Sequence, residues 1–199
     1  MHAKVTSIVG LVLLAFLSAG CETNPTAPGE GESYRTLRVD PRRNTDEAKR
    51  ENQIGLDHMA QGDLQKASDA FGRALAADVD YGPAHNNLGK VYFKQKDWYK
   101  AAWEFEYARK LMPKHAEPRN NLGLVLEEAG ELDKAVEQYK EAANLDGNIE
   151  YRANLVRALI RRGERTEEVR SLLQQVIEQD TRPTWSIWAK QQQAGMPQK

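Results

Sequence analysis

The chain has 199 residues, 40% of them hydrophobic and 29% charged, with a formal net charge of −1, which suits one modest globular domain with extensions. So even a charge balance points away from nucleic acid or an acidic surface as partner. The single cysteine, Cys21, excludes an internal disulfide framework and a thiolate metal cluster.

Met1-His2-Ala3-Lys4 and the mainly apolar run Val5 to Leu17 are too short for the ~20-residue helix that crosses a bilayer. They read as a signal peptide over residues 1–20. The run closes on Leu17-Ser18-Ala19-Gly20-Cys21, which resembles the bacterial lipobox, with Ser18 departing from the leucine of its strictest form. That resemblance implies a cleaved signal, Cys21 lipidated as the new N-terminus, and a membrane partner through the lipid. With Glu22 and not Asp next, it implies an outer-membrane anchor facing the periplasm. Plain secretory cleavage leaving Cys21 a free thiol is the rival. Residues 21–44 add Pro25, Pro28, Gly29, Gly31 and Pro41 among polar side chains, a linker with ~25–30 Å of reach.

From there a pattern recurs every 34 residues. Residues 82–115 carry Leu88, Gly89, Tyr92, Trp98, Ala101, Phe105, Ala108 and Pro113. The same places in 116–149 hold Leu122, Gly123, Leu126, Leu132, Ala135, Tyr139, Ala142 and Gly147, and in 48–81 Ile54, Gly55, His58, Leu64, Ala67, Phe71, Ala74 and Val79. Glycines and alanines without bulk let two helices approach, and the aromatic four residues after each alanine lies one turn along the same face. A fourth, degenerate copy at 150–183 has Leu155, Leu159 and Gly163 one residue early, then Val169, Leu173 and Val176 back in register. Pro183 should stop its second helix, and Thr184 should cap a last helix in 184–199 carrying Trp185, Trp188 and Ala189 on one stripe, a solvating cap over the last repeat with a tryptophan-based ligand pocket as the alternative.

This series resembles the tetratricopeptide repeat. The resemblance implies an all-α fold, a short right-handed superhelix of antiparallel helix pairs over 45–183, closed by a capping helix. It also implies that the first helices line a groove that binds protein or peptide segments. Carried over, the groove positions are Asn52, Leu56, Met59, Asn86, Lys90, Phe93, Lys94, Asn120, Leu124, Glu127, Glu128, Arg157, Ile160 and Arg161. Leu56 and Glu117 stand where chaperone-tail binders carry an asparagine and a lysine, which argues against a carboxylate clamp. Gln53, Asn87, Asn121 and Asn154 recur as an amide ladder, either bonding the backbone of a bound peptide or serving helix packing.

Three positions on the outer side of the second helices complete the reading. They are Gln65, Asp69 and Arg73 in one repeat and Asp133, Glu137 and Glu141 in another, but Tyr99, Trp103 and Tyr107 in the middle one. Spacing of four puts the rings on one stripe, a candidate second partner surface unless the linker, another copy or lipid headgroups cover it. No His-Glu-x-x-His, Cys-x-x-Cys, Gly-x-Ser-x-Gly or phosphate loop occurs, so no metal, no cofactor and no enzyme is expected. Glu127-Glu128 and Glu167-Glu168 read as solvated helix faces. The expected function is an envelope adaptor, similar in architecture to pilus-assembly and secretion lipoproteins, with a self-associating structural homo-oligomer as the alternative.

Overall fold

A computed structural model describes residues 43–197; the signal segment, Cys21 and the linker to residue 42 lie outside them. Nine helices follow one another among the described residues: α1 Thr45–Ala60, α2 Leu64–Ala77, α3 Gly82–Lys94, α4 Trp98–Leu111, α5 Glu117–Glu128, α6 Leu132–Leu145, α7 Ile149–Arg161, α8 Glu167–Gln179 and α9 Pro183–Ala194. The fold class is the one expected: helix pairs α1/α2, α3/α4, α5/α6 and α7/α8, with α9 packed on the last.

Local chemistry explains where the helices begin and end. Asn44, Asp63 and Asp97 each accept a hydrogen bond from the backbone N–H three residues on, at 3.1, 3.1 and 3.2 Å, and Thr166 caps α8 in the same way at 3.3 Å. Inside each pair the turn passes through one left-handed residue: Gly62 at φ 80°, Lys96 at 62°, Gly130 at 78° and Gly163 at 97°. The next N–H then reaches back five residues, from Asp63 to His58, Asp97 to Tyr92, Glu131 to Leu126 and Glu164 to Leu159, at 2.8–3.0 Å. Three of the four turns have the glycine this backbone favours; the second has a lysine.

The core runs between the helices of each pair and from pair to pair. Phe71, Phe105 and Tyr139 are almost wholly buried, each set on the glycine of its own first helix. The degenerate fourth pair reaches the same filling differently, with Val156 and Leu173, both fully buried, at the glycine and aromatic places. Bulk has moved from the ring to its partner. Ile54, at the place of Leu88 and Leu122, is exposed, since among the described residues no pair precedes α1 to cover it. Pro183 proves to be the first residue of α9, after an Asp180–Arg182 bridge, and not a stop behind it; a proline fits there because its missing N–H has no partner in the first turn. Thr184 therefore lies inside the helix and caps nothing. Ala189 faces the core while Trp185 and Trp188 pack half-buried against it.

Candidate partner-binding groove

The first helices α1, α3, α5 and α7 present a common face, and the asparagines on it are bonded to one another. Asn87 Nδ2 donates to Asn52 Oδ1 at 2.9 Å, Asn121 to Asn86 at 3.0 Å and Asn154 to Asn120 at 2.8 Å. All six are buried. The asparagines of the amide ladder thus act as rivets between successive first helices, the packing role that stood beside peptide binding as its alternative. The pairing survives the one-residue shift of the fourth repeat, since Asn154 keeps its bond with a sequence separation one shorter. Gln53 stands apart: exposed, it donates to Asp57 one turn along its own helix.

What remains open on this face is a cleft of about 590 Å³ between α3 and α5, lined among others by Lys90, Phe93, Lys94, Asn121 and Leu124. With Glu128, six groove and ladder residues read from the sequence therefore converge. Lys96, Trp98 and Phe105 also line it, with Trp98 edge-on to Phe93 at a ring separation of 5.1 Å. Lys96 went unread because its place is a turn glycine in the other repeats. Leu56 and Met59 are partly buried against the Phe71 cluster, so the first repeat adds side-chain packing more than open surface.

Glu127 departs from the solvated helix face expected of it. It is 2% exposed, not a solvated charge. Arg157 grips it with two bonds, at 3.0 and 2.7 Å, Arg161 adds one at 2.8 Å, and the Tyr139 hydroxyl donates at 2.9 Å. Burial pushes its carboxyl upward, but the Arg157 and Arg161 guanidinium groups together with the Tyr139 hydroxyl outweigh that and hold it below the ordinary carboxylate value. Arg157 is therefore partly spent inside the fold. Its remaining face lies 5.2 Å from the Trp185 ring, which has Arg182 on it at 5.1 Å. Arg157, Thr184, Trp185 and Trp188 line a second cleft of about 200 Å³.

A sequence model of the tetratricopeptide repeat matches residues 52–109 and 100–149. The chain carries tetratricopeptide repeats. Solved repeat structures agree in fold. The first repeat domain of Spaghetti bound to an HSP90 peptide, SRMEEVD, is 18% identical with a TM-score of 0.60, over 62% of this chain and 99% of that one. MamA from Desulfovibrio magneticus RS-1 is 24% identical with a TM-score of 0.60, over 67% and 78%. The Sgt2 repeat domain from Aspergillus fumigatus is 23% identical with a TM-score of 0.59, over 62% and 84%. A search of curated proteins finds no match. Tetratricopeptide repeats are protein–protein interaction scaffolds, generally without catalysis of their own. Among the described residues no helix is long and apolar enough to cross a membrane.

On the outer side of α4 the stripe stands clear, with Tyr99 73%, Trp103 58% and Tyr107 40% exposed. Its inner end is fixed: Tyr107 stacks on His85 at 5.1 Å. The His85 ring is buried, with Nδ1 2.6 Å from a Glu104 carboxylate oxygen and Nε2 2.8 Å from the Val79 carbonyl. Both neighbours are acceptors, so a ring donating from both nitrogens suits the site.

Proposed function

We propose that the chain is a membrane-tethered adaptor of the cell envelope, which holds segments of partner proteins in the groove of α3, α5 and α7. The observation that carries this reading is the open cleft at Phe93, Trp98 and Leu124, apolar at its floor and rimmed by lysines, on the face where repeats of this kind hold peptides. The Spaghetti domain bound to a peptide supports a peptide partner here. The tether would be the acylated Cys21, with the outer membrane facing the periplasm as its place and assembly of a pilus or secretion machine as its setting. Tyr99, Trp103 and Tyr107 would offer a second partner surface.

Two measurements test this. Cys21→Ser should abolish palmitate labelling, and a labelled serine variant refutes the anchor. Crosslinkers placed at Lys94 and at Tyr99 in the full chain, used on membranes, should capture the same partner from the groove and from the stripe. Capture from neither refutes the adaptor. The alternative of a self-associating structural protein predicts a mass by light scattering that rises with concentration.

A further inference from the structure

The two clefts of the groove differ in place and in chemistry from anything the repeat pattern demands. The first lies between α3 and α5, and the second between α7 and the capping helix α9, where Trp185 and Trp188 meet edge to face at 5.4 Å. Neighbouring helices pack ~8–10 Å apart, so two helix spacings separate the clefts by ~16–20 Å. An extended chain advances ~3.3 Å per residue and covers that in about five or six.

Charge on this face is lopsided in a chain of net −1. Lys90 is held by Glu117, but Lys94 and Lys96 have no carboxylate partner among the described residues, and Glu128 is the one acid lining the first cleft. Arg157, at the edge of the second cleft, and Arg161, one turn along the same helix, share the single carboxylate of Glu127. Lys96 adds an independent sign. It occupies the left-handed place that Gly62, Gly130 and Gly163 hold in the other turns, at φ 62°. A side chain is strained there, and this one lines the first cleft.

We infer that the groove takes an extended acidic segment of a partner protein bearing two bulky apolar side chains about five or six residues apart, one for each cleft. The inference rests on the groove being the binding face. The first anchor lies on Phe93, Trp98 and Leu124, and the second against Trp185 and Trp188. Second-cleft space is below the ~300 Å³ at which small-molecule pockets begin and suits one side chain. Carboxylates of the segment meet Lys94 and Lys96 beside the first anchor and Arg157 and Arg161 beside the second.

The test uses fluorescein-labelled peptides of aspartate and serine with two phenylalanines at graded separations, binding to the full chain in detergent and read by anisotropy. Affinity should peak near the separation given above, and a matching lysine and serine series should bind less well. Lys96→Gly should weaken the best peptide about two- to fivefold while raising the melting temperature, since glycine removes the strain. Trp188→Ser should flatten the dependence on separation; if that variant melts early, the series on the unaltered chain still decides. A flat dependence in the unaltered chain, no binding by any aspartate peptide, or preference for lysine peptides overturns the inference. The groove reading itself fails on a different result, crosslinks from Lys94 that capture nothing.

Discussion

The ring of Tyr139 lies so close over Gly123 that a methyl group on that glycine would stand 2.6 Å from Cε1. Phe71 on Gly55 and Phe105 on Gly89 repeat the contact at 2.4 and 2.6 Å. In each pair the missing side chain on one helix is the space the ring of the other occupies. Gly123→Ala should therefore destabilise by about 1–3 kcal/mol through overpacking. Gly72, helical as well but with nothing within 4 Å of its would-be methyl, is the control: Gly72→Ala should stabilise by up to about 1 kcal/mol. Urea unfolding of the two variants checks both signs.

Tyr139 has a second task that its phenylalanine counterparts lack, since its hydroxyl donates to buried Glu127. Tyr139→Phe should cost about 1.5–3 kcal/mol, the range for a hydrogen bond to a charged group. Because the folded carboxyl titrates below its ordinary value, the stability Glu127 contributes is present above that value and is lost as pH falls through the folded one. Acid unfolding of Glu127→Gln should lack this component, as melting curves at graded low pH would show.

His85 carries the opposite sign. Burial opposes its charge, but the Glu104 carboxylate, the Val79 carbonyl and Asp80 together outweigh burial and raise its pKa above 6.5. A raised folded pKa gives stability that is complete below the unfolded value and is lost as pH rises through the folded one. Melting temperature should fall with rising pH above about 6.5, and His85→Gln should remove that slope. A slope unchanged in the variant would place its source elsewhere.

The asparagine rivets predict a stability effect. Asn87→Ala leaves the buried Oδ1 of Asn52 without its donor, and Asn121→Ala does the same to Asn86. Each should cost about 1–3 kcal/mol, read from chemical denaturation. Retained stability would return these amides to the role of free peptide binders.

Trp103 is exposed, so Trp103→Asp should shift stability by no more than about 0.5 kcal/mol. If the stripe is a partner surface, the same variant should reduce crosslinking of the partner from Tyr99, with melting unchanged. Undiminished capture would show that the stripe is not the surface.

The sequence alone determined the helix pairs, their register and the glycine–aromatic contacts, because a 34-residue period repeats residue types that only close helix packing requires. It also marked Lys90, Phe93, Lys94, Asn121 and Leu124 for one face, through the groove that the resemblance to the tetratricopeptide repeat implies. What it could not decide is which polar side chains on that face stay free. Asn52 with Asn87, and Glu127 with Arg157, lie about 30 or more residues apart, and their partnership follows from the stacking of one pair on the next. The same stacking brings Trp185 and Trp188 of α9 against Arg157 to make the second cleft. A periodic pattern records what each repeat must bury within itself; side chains that meet across repeats are paired by tertiary geometry, which the pattern leaves open.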